Sequence, residues 1–389
     1  MTTVNIFGVT GSIGSSTLSV LNFCSSFNEI KINALSANNN VELLVKHSIA
    51  NKANYAIVAN PNKYRELKNA LFGSGVIALA GTKCITEVAE VGADWTMNAI
   101  VGFAGLEPSI ATAKTGKVLA LANKESLVCG GDLLNSTLED FKTTLLPVDS
   151  EHSAIFRCLN GEATENVDKI ILTASGGPFR KWSLNRIKKA TLKEALAHPN
   201  WEMGARISID SASMFNKALE VIETKYLFNF PIERIKVLVH PESILHSMVA
   251  FNDGSVIAQL SVPDMRGAIG YAFNYPLRCS LPVEKLKLEQ ISSLNFEKVD
   301  SEKFPALDLA YSCVSRGALF GTILNASKEI ALDKFIAGEI GFLDITLIVK
   351  KVLDSKEIID FENKSADKLE DIICADSLTR DITRAASLT

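Results

Sequence analysis

This 389-residue sequence predicts an α/β N-terminal domain built on a doubly wound parallel sheet (residues 1–148) and an α+β domain with an antiparallel hairpin (149–274). A linker (275–303) and a C-terminal helical bundle (304–389) complete it. Three observations lead there. Through the first 150 residues, short apolar runs alternate with segments of helix length, the pattern of a parallel sheet covered on both faces. Asn252-Asp253-Gly254 then separates two alternating runs, a strong hairpin signal. From residue 304 the pattern is helical, with Gly317, Gly338 and Gly341 as expected helix stops. A chain of this length is too long for one compact core.

The first strand is VNIFGV (4–9), and a helix begins near Ser12. IKINALS (30–36), YAIVAN (55–60), VIALAG (76–81), WTMNAIVG (95–102), VLALAN (118–123) and LLPVD (145–149) come next, with helix-length segments at 41–50, 62–72 and 104–115. KIILTAS (169–175) opens the second region. Gly176, Gly177, Pro178 and Pro199 then mark residues 176–203 as a candidate mobile loop. A helix over 213–227 precedes the strands RIKVLVH, SILHSMVAF and SVIAQLSV, and the hairpin between the last two predicts antiparallel pairing.

Composition excludes several functions. A formal net charge of -4 without any Lys/Arg cluster provides no electrostatic footprint for nucleic acid. Cysteines 24, 84, 129, 158, 279, 313 and 374 are odd in number and form no C-x-x-C, against both a disulfide framework and a zinc site. No apolar run approaches the roughly 18 residues of a membrane span. A cytoplasmic protein with reduced thiols is expected, and with a strand pattern by Val4 no signal peptide is expected.

Gly8, Gly11 and Gly14 lie between the first strand and the first helix. Glycines there let the backbone approach a pyrophosphate, and the helix N-terminus offers free N–H groups to it, so the first domain reads as Rossmann-like. The segment after the second strand, Ser36 to Asn40, has no carboxylate of the kind that binds the ribose hydroxyls of NAD, which favours NADPH. Asp149 and Glu151, one residue apart after an apolar run, would share a face if extended and would then repel unless a cation lay between them. The alternative is an acidic first turn of a helix. Asn216 and Glu220 lie four apart on one helical face, with Lys217 beside them. Ser175, Ser211, Asn216 and Lys217 are the residue types of a phosphate site.

The segments VTGSIG, LANKESLV, PVDSEHSAIF, TASGGPF, HPNWEMG, SIDSASMFNKALEVIE, HPESILHSMV and SVPDMRGAIGYA, with FPALDLAY and LNASKEIAL, together resemble the 1-deoxy-D-xylulose 5-phosphate reductoisomerase family of the non-mevalonate isoprenoid pathway. The resemblance runs nearly end to end. It implies a metal site of Asp149, Glu151 and Glu220 for Mg²⁺ or Mn²⁺. It implies a sugar phosphate substrate whose hydroxyls meet Ser150 and Lys124. Ser175, Ser211, Asn216 and Lys217 would hold the phosphate, and His198 and Trp201 would belong to a closing loop. The expected NADPH contacts are Gly8, Thr10, Gly11, Ser12, Ile13, Ala37, Asn38, Asn39, Asn123, Lys124, Glu125 and Gly204, and the expected assembly is a homodimer. His152, His240 and His246 are read as structural, and Cys129 as an inert thiol. Two rivals stand beside this: another two-domain NADP-linked dehydrogenase, which needs no acid trio, and an inactive NADPH-binding regulator.

Overall fold

The computed structural model describes residues 1–25, 29–197, 199, 204–362 and 364–387. They form two compact units. The first contains Met1–Asn123, Leu134–Ser153 and Asp264–Glu284, and the second Lys124–Leu133, Ala154–Pro263 and Lys285–Thr389.

The first unit carries seven strands: β1 (Thr2–Phe7), β2 (Ile30–Ala37), β3 (Tyr55–Val58), β4 (Ile77–Ala80), β5 (Trp95–Asn98), β6 (Val118–Leu121) and β7 (Thr144–Pro147). Their order is β4-β3-β2-β1-β5-β6-β7, and every neighbouring pair is parallel. Val4, Ile6 and Phe7 of β1 are buried, as a central strand covered on both faces requires. The strand order reverses between β1 and β5, the switch point where such sheets leave a crevice at the strand C-termini. Helix Val41–Ala50 starts at Asn40, whose side chain accepts from the Leu43 N–H.

This partition differs from the sequential ranges read off the sequence. Helix Met265–Asn274, expected in the second domain, packs on helix Ser12–Cys24 of the first unit. It buries Ala268, Ile269 and Tyr271, and its Ala272 carbonyl accepts from Trp95 Nε1 at 3.2 Å. Burial of that apolar face decides where the helix belongs, and sequence order does not report it.

The second unit contains β8 (Val167–Ala174), β9 (Ile235–Val239), β10 (Leu245–Phe251), β11 (Val256–Leu260) and β12 (Glu297–Lys298), in the order β11-β10-β8-β9-β12. The hairpin is present: β10 and β11 pair antiparallel, with Gly254 at φ +88° in the turn and Asp253 Oδ1 accepting from the Ser255 N–H. β8 and β9, by contrast, run parallel, because helices Ala205–Ala212 and Phe215–Phe228 make the crossover between them. The expected linker contributes β12, a strand on β9. The C-terminal helices Ala306–Arg316, Asp344–Leu353 and Leu369–Ala385 surround Leu319–Ile336, which is buried nearly all round. Gly317 and Gly338 end helices at positive φ. Gly341 does not, since its N–H donates to Asp344 Oδ2 ahead of the next helix.

Candidate active site

In the first unit, β1 leads through Gly8 into helix Ser12–Cys24. Gly8 has φ +87°, and a Cβ there would lie 2.4 Å from the Ala99 carbonyl oxygen. A Cβ on Gly14 would lie 2.4 Å from both the Gly8 oxygen and Val9 Cα, so the helix can close on the turn only with glycine. Gly11 is the N-cap and supplies no side-chain bond to the first turn. Those N–H groups therefore face outward beside exposed Gly11 and Ser12, a donor set suited to a pyrophosphate. Ala37 ends β2. Asn38 and Asn39 are exposed, with Asn39 Oδ1 accepting from Asn60 Nδ2 at 2.8 Å.

Asn123, expected among the cofactor contacts, also serves the fold. Its Nδ2 donates to the carbonyls of Ile100 (2.7 Å) and Gly102 (2.9 Å), tying down the turn after β5. That turn, which holds the carbonyl against Gly8, escaped the sequence reading. Its signal is Gly102-x-x-Gly105 after a strand: Gly102 sits at φ +79°, and a Cβ on Gly105 would strike the Asn123 carboxamide.

Asp149 and Glu151 are not presented by an extended strand. β7 stops at Pro147 and a helix runs from Ser150 to Cys158. The Asp149 carbonyl accepts from the Ser153 N–H and its Oδ1 from the Glu151 N–H at 3.2 Å, so Asp149 caps the helix and Glu151 stands in its first turn. Both are partly exposed; Ser150 Oγ donates to Glu151 Oε2, and buried His152 places Nδ1 3.5 Å from Asp149 Oδ1.

In the second unit, Glu220 is fully buried on helix Phe215–Phe228. Lys124 Nζ lies 3.2 Å from Glu220 Oε1 and 2.9 Å from Asn216 Oδ1. Asn216 Nδ2 also donates to Oε1, and Lys217 Nζ donates to Oε2. Two buried ammonium groups thus compensate the charge of one carboxylate away from solvent. Close packing places Lys124. A Cβ on Gly321 would lie 2.0 Å from the Val128 carbonyl oxygen, one on Gly131 would enter the Tyr226 ring, and Thr322 Oγ1 donates to the Cys129 carbonyl. Asp149 and Glu151 in the first unit and Glu220 in the second are hard oxygen donors of the kind that suits Mg²⁺ or Mn²⁺.

The phosphate-type residues also draw together in this unit. Gly176 and Gly177, both at positive φ, turn the chain after β8. A Cβ on Gly177 would lie 3.0 Å from the Ser211 carbonyl oxygen, so the turn carrying Ser175 sits against the end of helix Ala205–Ala212. Met214 at φ +65° links that helix to the one bearing Asn216 and Lys217. Lys217, expected on a phosphate apart from the metal acids, instead has its ammonium on Glu220.

Residues 176–197, expected to be a mobile loop, carry helices Leu184–Ile187 and Leu192–Ala195. They bury Phe179, which rests edge-on against Phe342 at 4.8 Å. His198 and Trp201 lie outside the described residues, and Gly204 is the exposed N-cap of helix Ala205–Ala212. Burial raises the Cys129 thiol well above its ordinary range, as an inert thiol requires. His240 is satisfied by Asn295, and burial pushes His246 down to about 4.

Three family models cover most of the chain. They are 1-deoxy-D-xylulose 5-phosphate reductoisomerase over residues 4–131, the C-terminal domain of that enzyme over 145–228, and the DXP reductoisomerase C-terminal domain over 260–382. A 1-deoxy-D-xylulose 5-phosphate reductoisomerase of Cereibacter sphaeroides is 50% identical over 98% of this chain and 96% of its own length. One of Rhizobium meliloti is 48% identical over 97% and 95%. The solved structure of the Zymomonas mobilis enzyme in complex with NADPH is 44% identical, with a TM-score of 0.90 over 99% of this chain and 98% of that one. A DOX-P reductoisomerase in complex with NADPH, fosmidomycin and magnesium is 38% identical, with a TM-score of 0.93 over the same shares.

Proposed function

The chain belongs to the 1-deoxy-D-xylulose 5-phosphate reductoisomerase family, and from that premise we propose that Asp149, Glu151 and Glu220 together hold the divalent cation of its reaction. The protein is an NADP-dependent oxidoreductase that isomerises and reduces 1-deoxy-D-xylulose 5-phosphate to 2-C-methyl-D-erythritol 4-phosphate in isoprenoid synthesis, using NADPH and a divalent metal. The observation that carries the assignment of the site is the Glu220 carboxylate, buried and held by Lys124, Asn216 and Lys217.

The bound cation supplies Lewis-acid polarisation of the substrate carbonyl, and the nicotinamide supplies hydride. The chain's own residues do the rest. Asp149 and Glu151 offer their carboxylates from a helix N-terminus, where their negative charge is favoured. Lys124 fixes Glu220 through one oxygen and stands ready for a substrate hydroxyl, as does Ser150. Ser175 and Ser211, with Asn216 and Lys217, take the phosphate, a group remote from the bond changes whose binding energy orients the reacting carbons. His198 and Trp201 are assigned to the segment that covers the substrate and excludes water.

No helix among the described residues is long and apolar enough to cross a membrane, and their seven cysteines are free. Free thiols support a cytoplasmic location. A homodimer is supported by β11, an edge strand exposing Val256 and Ile257. The test is NADPH oxidation with 1-deoxy-D-xylulose 5-phosphate, with and without Mg²⁺. Asp149→Asn, Glu151→Gln and Glu220→Gln should each lower turnover at limiting Mg²⁺ by at least about a hundredfold, more than loss of an outer-shell partner costs. NADPH binding should persist in all three. Near-normal turnover in any of them would remove that residue from the site.

A further inference from the structure

Lys328 lies far along the chain, on helix Leu319–Ile336, and has no place in the reaction so far. It is nevertheless 3% exposed, and its Nζ donates to Asp210 Oδ2 at 2.9 Å. Asp210 is the residue before Ser211, on the helix against which the Ser175 turn rests. It is itself buried, and its other oxygen has no hydrogen-bond partner among the described residues. An uncompensated carboxylate one residue from a phosphate-binding hydroxyl would repel a dianion through poorly screened surroundings.

The same lysine reaches a second element. Burial raises Glu125, the neighbour of Lys124, and Lys328 is the largest influence opposing that rise. Burial alone would favour loss of the proton from Lys328. The carboxylates of Asp210, Glu329 and Glu125 outweigh it and keep the ammonium charged. Glu329 is held in turn by Arg380 at 2.8 Å, and Arg380 by Asp376 at 2.7 Å, which anchors the group to helix Leu369–Ala385. A chain of buried and half-buried charges thus runs from the C-terminal helices to the two elements that present Ser211 and Lys124.

We propose that Lys328 is a positioning residue for the phosphate end of the substrate: it neutralises Asp210 and ties helix Ala205–Ala212 down, so that Ser211 can face a dianion. The proposal rests on the assignment of Ser175 and Ser211 to the phosphate, and its test separates the two. The quantity read is the ratio of kcat/KM for the phosphorylated substrate to that for the phosphate-free sugar, in the full-length enzyme with Mg²⁺ and NADPH. Affinity for Mn²⁺ in the absence of substrate serves as the second reading.

Lys328→Met should reduce the ratio by about tenfold or more, and Lys328→Arg, which retains the charge, should hold it within about threefold. Mn²⁺ affinity should stay unchanged in both, because Glu220 lies on another helix. A general loosening of the fold would weaken both readings together, and that outcome overturns the proposal. The double variant Lys328→Met/Asp210→Asn buries no unpaired charge, and it should recover most of the ratio even if Lys328→Met alone does not fold. A double variant that loses as much as Ser211→Ala overturns the proposal. If Ser211→Ala lowers the ratio and folded Lys328→Met does not, the role of Lys328 fails alone. If neither lowers it, the phosphate site itself is misassigned.

Discussion

Glu220 shows why residue-scale geometry revises a reading made from residue types. Lys217 has the type of a phosphate ligand, and its sequence neighbours fit that role. In the folded chain its ammonium is on the metal-type carboxylate, one turn of helix away. Lys217 and a divalent cation are therefore competitors for the same oxygen. Lys217→Ala should tighten Mn²⁺ binding by about tenfold, or about 1.4 kcal/mol, while lowering kcat/KM on the phosphorylated substrate by at least about a hundredfold. Calorimetric Mn²⁺ titration reads the first effect, and unchanged or weaker metal binding would refute the competition. His246 permits a test of stability. Burial lowers it from 6.5 to about 4, so the unfolded chain takes up a proton across that interval that the folded chain refuses. Its contribution is complete above about pH 6.5 and is lost as pH falls towards 4, by about 3 kcal/mol in all. Urea unfolding at pH 7 and pH 4.5 should show a smaller difference for His246→Asn than for the parent chain. An equal difference would assign the acid sensitivity to other groups.

At the scale of elements, the turn from β1 into helix Ser12–Cys24 is the best specified piece of the chain. Gly8 is required by its positive φ and by the Ala99 carbonyl, and Gly14 by the Gly8 carbonyl. Gly11 has no comparable contact, its nearest atom from a Cβ being 3.5 Å away, so its value is an open helix end. Gly14→Ala should therefore weaken NADPH binding at least about tenfold by pushing the helix off the turn, a clash rather than a lost contact. Gly11→Ala should cost much less. Fluorescence titration with NADPH checks the pair, and equal losses would mean that close packing is not what glycine serves there. The helix beginning at Ser150 teaches a second lesson: the acids at its start are legible in the sequence, and of the two geometries open to them, a shared extended face or the acidic first turn of a helix, the helix holds. Strand periodicity cannot show that Pro147 ends β7 and that Asp149 caps the helix beyond it.

At the scale of the molecule, β11 leaves a sheet edge with Val256 53% and Ile257 38% exposed. The proposed pairing of two copies along it would make the parent chain a dimer in sedimentation equilibrium and Ile257→Lys a monomer, since an edge lysine opposes strand addition. An unchanged dimer would place the interface elsewhere. The sequence by itself determined the parallel sheet, the hairpin at Asn252-Asp253-Gly254, the open glycine turn and the residue types of the site. Each depends on neighbours within a few positions, through backbone period, turn geometry and glycine's freedom at positive φ. Tertiary structure alone decided that Met265–Asn274 returns to the first unit and that β9 lies parallel to β8. It also decided that Lys328 meets Asp210, 118 residues away. Partners so distant leave no periodic trace. They are selected by which apolar faces must be buried and which buried charges must find opposites, conditions that exist only once the chain has folded.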